Sequence, residues 1–129
     1  MISKMDIRTY YPADLSQLTQ IHQKFYADEF PVSDFFNHPL FQMVVEEDGK
    51  IVAAASVREI LEVVAITNKD FSPRQRRSAL LNILQGAMFA TARCNFNQLH
   101  AFIQDDTWKK QLSKYGFKPT KGQALVLNI

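Results

Sequence analysis

One cysteine, Cys94, is all the chain carries, so it can form no internal disulfide and has no cysteine pair at metal-ligand spacing. The residue reads as a small buried side chain in a protein kept reduced or indifferent to redox state. Long apolar runs are missing too. The opening Met1, Ile2, Ser3, Lys4, Met5 and Asp6 hold no signal-peptide core, and no stretch approaches the roughly 18 apolar residues of a membrane span. Neither export nor a membrane partner is expected, and the cytoplasm is the expected compartment. A surplus of one charge is also lacking. Fifteen Lys and Arg against 13 Asp and Glu leave +2, too little by itself to draw nucleic acid or an anionic membrane. The Lys69 and Arg74 to Arg77 cluster is the one local exception, and nucleic acid is not an expected partner on that basis. No internal repeat or low-complexity segment interrupts the chain.

What is present is core material: 47% hydrophobic residues with ten Phe in 129 positions, enough for one core and too little for two comfortable domains. A single domain over residues 1–129 is therefore expected. Residues 5–11 set Ile7, Thr9 and Tyr11 on alternate positions before Pro12, as in a short half-buried strand. Asp14 is placed to cap a helix whose stripe is Leu15, Leu18, Ile21, His22 and Phe25. Residues 28–40 mix Pro31, Asn37 and Pro39 with aromatics and show no period; they read as a loop with a helical turn, suited to a substrate lid. Two strands, 41–47 and 50–57, flank Asp48-Gly49, a dipeptide that accepts the positive φ angles of a tight hairpin turn. The small apolar run Ile51-Val52-Ala53-Ala54-Ala55 points to a central strand. Residues 61–67 read as another buried strand, interrupted only by Glu62.

The sharpest boundary is Ser72-Pro73. Ser72 is a good N-cap, Pro73 suits the first helical position, and Gln75 completes a capping box. Leu80, Leu81, Ile83, Leu84, Ala87, Met88, Thr91 and Ala92 extend the helix to about Arg93, with Gly86 inside it as a point of close packing against a sheet. A strand follows at 98–103. Asp105 or Asp106 then caps a short helix bearing Trp108, Leu112 and Tyr115, Gly116 ends it, and residues 124–129 form a last strand.

This α/β (α+β) order, β-α-β-β-β-α-β-α-β, resembles the GNAT superfamily of acetyl-CoA-dependent N-acyltransferases. The likeness rests on the strand ending at Ile66-Thr67, the basic segment Arg74 to Ala79 opening a long helix, and the terminal strand-helix-Gly-Phe-strand unit around Tyr115-Gly116-Phe117. It implies a mixed, mostly antiparallel central sheet with helices on both faces. It also implies transfer of an acyl group from a coenzyme A thioester, acetyl-CoA as cofactor, to an amine acceptor. In that family a helix N-terminus binds the cofactor pyrophosphate through backbone N–H groups and the positive end of the helix dipole. The resemblance thus assigns Arg74, Arg76, Arg77, Ser78 and Ala79 to the cofactor, with Asp105 at the position of the family's Asn. It also assigns Val64, Ala65 and Ile66 to the pantetheine arm, in a cleft where two strands splay apart. Two positions depart from the pattern: Arg77 stands where the first loop glycine falls, and Leu112 where a tyrosine donates a proton to the leaving thiolate.

Glu62, a carboxylate in an apolar strand, is the candidate general base, because burial would raise its proton affinity. Glu59 is second; an edge position facing solvent is the alternative for Glu62. Tyr115 is the candidate donor in place of Leu112, with a packed core tyrosine as its other reading. His22 on an apolar stripe reads as a core histidine, His38 is a further candidate, and His100 is structural or lines the cleft. The Arg cluster can equally be a solvated first turn. The short chain and the Trp-bearing helix before Gly-Phe are also similar to compact GNAT-fold proteins of bacteriophages. That likeness implies a catalytically degenerate virion component or binding module with virion or other protein partners, located in the virion or host cytoplasm.

Overall fold

The computed structural model describes residues 4–120 and 122–129. The protein is of mixed α+β class, and its contacts gather into two compact units, Met1–Glu59 with Pro119–Ile129, and Ile60–Lys118. The first holds β1 (Met5–Thr9), a 3-10 turn (Pro12–Asp14), α1 (Leu15–Phe25), a second 3-10 turn (Val32–Phe35), β2 (Pro39–Glu47) and β3 (Lys50–Arg58). The second holds β4 (Leu61–Glu62), α2 (Pro73–Arg93), β5 (Leu99–His100) and α3 (Asp106–Lys114).

In the first unit the strands form an antiparallel sheet in the order β1-β2-β3. The β2-β3 hairpin turns at Asp48 and Gly49 with φ of 53° and 77°, as that dipeptide predicts. The central strand is β2 and not the alanine-rich β3. Val44, in the middle of β2, is fully buried, while Ala53 to Ala55 on β3 remain exposed, because a sheet buries the strand with neighbours on both sides.

One face of this sheet carries Arg8, Gln42, Val44, Glu46 and Arg58, and the polar members tie the connections down. Arg8 forms a two-pronged ion pair with Asp14, 2.8 Å on each prong, and reaches Glu46 at 3.2 Å. Asp14 also accepts the Tyr11 N–H at 2.8 Å. It therefore does not cap α1 through its side chain, contrary to expectation; the buried carboxylate turns back to the arginine and the preceding turn.

The expected lid over 28–40 is fastened instead. Gln42 Nε2 donates to the Phe35 carbonyl at 2.8 Å, Arg58 faces Asp34 at 3.9 Å, and Tyr10 meets Phe35 and Phe36 edge-on at 5.9 and 5.8 Å. His22 Nε2 lies 2.6 Å from the Phe30 carbonyl oxygen, with the two rings in edge contact. The histidine read as a core residue is a half-buried clasp.

The last strand expected over 124–129 does not form. Among the described residues no ladder engages this segment, and Leu125, Val126, Leu127 and Ile129 are exposed. Strand propensity is largely the fit of side chains to a neighbouring strand, so it has no effect without one.

In the second unit β4 and β5 form a parallel pair. Helix α2 starts and stops where the sequence places it. Ser72 Oγ accepts the Gln75 N–H at 3.2 Å and Gln75 Oε1 accepts the Ser72 N–H at 3.0 Å. At the other end Asn95 takes φ of 62°, its N–H bonds Ala92 O, and the Phe96 N–H bonds Thr91 O, closing a Schellman turn. Cys94, expected to be buried, is the exposed C-cap residue. The inward stripe is narrower than predicted: Leu84 and Thr91 are buried and Leu80, Leu81 and Ala87 half-buried, but Ile83 and Met88 are exposed. Gly86 is not a point of close packing among the described residues, for a Cβ there would meet no atom within 4 Å.

Two outcomes follow. Asp14 has its pKa lowered from 3.8 to about 2, first by the Arg8 hydrogen bonds and then by the Tyr11 N–H. Because the folded value is the lower one, this stabilisation is complete above about pH 4 and disappears as pH falls through about 2. In urea titrations Asp14→Asn should unfold at lower denaturant than the wild type at pH 6, and the gap should close between pH 4 and 2. Gly86→Ala should raise stability by about 0.5–1 kcal/mol, since it removes backbone entropy without a clash; thermal unfolding reads this directly.

Candidate functional site

The second unit gathers most of the candidate residues, and the extent of one ladder decides how. β4 pairs with β5 at Leu61 with Leu99 and Glu62 with His100. One more bond follows, from the Val63 N–H to the His100 carbonyl at 2.9 Å. Beyond it, among the described residues, the backbone of Val64, Ala65 and Ile66 makes no hydrogen bond, and Val64 and Ile66 are 79% and 90% exposed. The buried strand expected over 61–67 is therefore regular only at its start. An unbroken apolar run reads as burial on both faces, yet burial needs a partner strand, and β5 is itself regular only at Leu99 and His100. What remains is a parallel pair joined at one end, whose β4 extension presents an unbonded edge.

Glu62 is exposed, so the burial that was to strengthen it as a base is absent. Its register partner His100 is half-buried, and the His100 Nδ1 is shielded from solvent with no hydrogen-bond partner among the described residues.

The segment after β4 leads into α2. The basic Arg74 to Ala79 segment is helix from Pro73 onward, as Pro73 and the Ser72–Gln75 box require, and so forms no phosphate-binding loop ahead of the helix. Few backbone donors are left at this terminus. Pro73 has none, the Ser72 and Gln75 N–H groups are used within the box, and the Arg76 N–H bonds the Ser72 carbonyl at 3.0 Å. Ser78 and Ala79 sit in the second turn, where N–H groups serve the helix's own ladder. The Arg74 N–H is the donor left over in the first turn, and positive side chains supply the rest.

The arginines are not equivalent. Arg74 and Arg77 are exposed, whereas Arg76 is half-buried, and its Nε is shielded without a hydrogen-bond partner among the described residues. Its position was legible: Arg76, Leu80 and Leu84 follow at intervals of four on the inward stripe, so Arg76 extends that stripe past its apolar end.

Asp105 is the N-cap of α3, accepting the Thr107 N–H at 2.9 Å. At the far end Leu112 accepts from Tyr115 and Phe117, and Ser113 accepts from Gly116, at 3.0 to 3.2 Å, a second Schellman turn with Gly116 at φ of 95°. Trp108 and Leu112 are half-buried, but Tyr115 is 48% exposed and so is no core tyrosine. Its hydroxyl has no hydrogen bond to Glu62 or the arginines among the described residues. Glu59, His22 and His38 belong to the first unit, where the Glu59 N–H bonds the His38 carbonyl at 3.0 Å. Among the described residues no group of His, Cys, Asp and Glu can hold a metal, and no helix is long and apolar enough to cross a membrane.

No protein-family model and no curated protein matches the chain. Among solved structures it is similar to a predicted acetyltransferase with acetyl-CoA from Clostridium acetobutylicum, at 22% identity over 97% of this chain and 96% of that one, with a TM-score of 0.37.

Gly116 fixes the exit from α3 in a conformation that a side chain resists. Gly116→Ala should cost about 1–2 kcal/mol although no atom crowds the site, and urea unfolding should show the loss.

Proposed function

We propose that the protein is an N-acyltransferase that moves the acetyl group of acetyl-CoA to an amine. The observation that carries the reading is the β4–β5 pair that opens after Val63, with the β4 edge at Val64 to Ile66 unbonded and leading directly to a helix whose inward arginine lacks a partner. Such an edge suits an amide-bearing linear ligand, which pairs with a strand as another strand would. The Arg76 Nε, orphaned while shielded from water, suits an anion at one end of that ligand, because a buried donor without a partner costs roughly 1–3 kcal/mol. These features fit a coenzyme A thioester: amides in its arm, phosphates at its end.

Val64, Ala65 and Ile66 bind the arm through backbone N–H and C=O groups. Arg74, Arg76 and Arg77 hold the pyrophosphate by side-chain charge, aided by the Ser78 hydroxyl, the dipole of α2 and the small Ala79, which leaves room. This exchanges a backbone cradle for guanidinium groups, which is what Arg77 in a glycine position requires. Asp105 caps α3 and fixes where that helix begins. Glu62, exposed beside the opening, draws the acceptor's ammonium and passes its first proton to water. Tyr115 donates towards the leaving sulfur in place of Leu112. Acetyl-CoA, when bound, supplies an acyl carbon already activated as a thioester. The rest of the rate comes from holding the partners in position.

Calorimetry tests the reading. Acetyl-CoA should bind the wild type, and the Arg74→Ala, Arg76→Ala double variant should bind roughly 100-fold more weakly, as two charge-assisted bonds at about 1.5 kcal/mol or more each imply. No binding by the wild type at millimolar acetyl-CoA would overturn it.

A further inference from the structure

His100 stands where the ladder ends. It is the last regular residue of β5, its carbonyl accepts the final bond between the strands, and its register partner is Glu62. Register partners on neighbouring strands carry their side chains on the same face. An imidazole and a carboxylate therefore flank the point at which the strands part. The carboxylate is solvated, whereas the imidazole keeps Nδ1 out of water with no hydrogen-bond partner among the described residues. Native structures rarely leave such an atom unsatisfied, and each instance calls for a cause. A ligand group completing its hydrogen bond is a cause that also explains its location.

On the acyltransfer reading, we infer that His100 Nδ1 is the proton acceptor for the attacking amine, with Glu62 as the adjacent negative charge that steadies the imidazolium. In the Nε2–H tautomer, Nδ1 presents a lone pair. As the amine nitrogen bonds the acyl carbon, one N–H bond breaks. Its electron pair stays on nitrogen and its proton passes to Nδ1. The C–S pair leaves with sulfur, which takes the Tyr115 hydroxyl proton; the imidazolium then releases its proton to solvent and the phenolate takes one back, so amine and thioester give amide and thiol without net gain or loss of protons. The division of labour follows from exposure: Glu62 handles the proton that an ammonium loses to water, and His100 the one that must leave as the new bond forms.

Two readouts on the full chain test this. In side-chain nitrogen NMR with labelled histidine, the His100 Nδ1 signal should move on addition of acetyl-CoA, while His22 and His38 stay in place. In turnover with propylamine as acceptor, His100→Ala and His100→Gln should keep acetyl-CoA affinity within about threefold and lose roughly 100- to 10,000-fold in rate, with added imidazole restoring part of the rate to His100→Ala. A structural role would give no rescue. A wild type that does not bind acetyl-CoA sinks the acyltransferase reading and this inference with it. Binding with an unmoved His100 signal, or full activity in both variants, overturns this inference alone and leaves the parent reading standing.

Discussion

Two register pairs and one further backbone bond hold β4 to β5, and where that short ladder stops determines what the second unit can present to a ligand. Each residue added to a parallel ladder would satisfy backbone groups and cover side chains. Each residue left off keeps an N–H and a C=O available. By ending at Val63 and His100, the ladder leaves Val64 to Ile66 exposed and without backbone partners among the described residues, where another extended molecule can pair. The cost of that opening is modest because exposed backbone bonds to water. It becomes large only for groups that are shielded and unpaired, and the second unit has two of them, His100 Nδ1 and Arg76 Nε.

The first unit solves the opposite problem. Arg8 could have been another shielded group in need of partners, but Asp14 and Glu46 surround it, and its guanidinium also lies 5.4 Å from the Tyr11 ring centre. A bidentate carboxylate matches the fork of an arginine, so little of its hydrogen-bonding capacity is left unused. The same face fastens Phe35 through Gln42 and Asp34 through Arg58, which turns the connections into fixed structure. The first unit thus pairs its shielded charged groups and leaves a neutral hydroxyl, Ser56 Oγ, without a partner among the described residues, whereas the second leaves an imidazole and a guanidinium nitrogen. That contrast is why the second unit, and not the cluster with the strongest ion pair, is where a ligand is expected to bind.

The sequence was informative wherever the determinants are local. Ser72, Pro73 and Gln75 set the start of α2 to the residue, Asp105 and Gly116 bracket α3, and Asp48-Gly49 makes its hairpin, because caps and turns depend on groups a few residues apart. It misled where the determinant is a partner far along the chain. Residues 61–67 and 124–129 have the composition of buried strands, but neither run contains the strand it would need beside it. Asp14 shows the same limit at closer range. As an isolated residue before a helical stripe it is a good cap, and only the arrival of Arg8 from β1 diverts its carboxylate. Of the site, the basic cluster and Glu62 were legible as residue types. The distinction among Arg74, Arg76 and Arg77 was legible only through the spacing from Arg76 to Leu84, and His100 was legible as structural or as lining the cleft but not as a reacting group, since one histidine in an apolar strand reads first as packing.

The capping of α2 changes what kind of anion site its start can be. A glycine loop before a helix binds phosphate by aiming several backbone N–H groups at it, and that geometry is rigid and selective. Here the capping box uses those donors for the helix itself. An anion at this terminus must be held chiefly by side chains: Arg74 and Arg77 from solvent, and Arg76 from the inward stripe. Exposed guanidinium groups attract at a distance but are screened by salt. The half-buried Arg76 is screened less, and its orphaned Nε gains a partner only when something binds. In such a site Arg76 supplies the part of the affinity that salt weakens least, while Arg74 and Arg77 add bonds that salt weakens more.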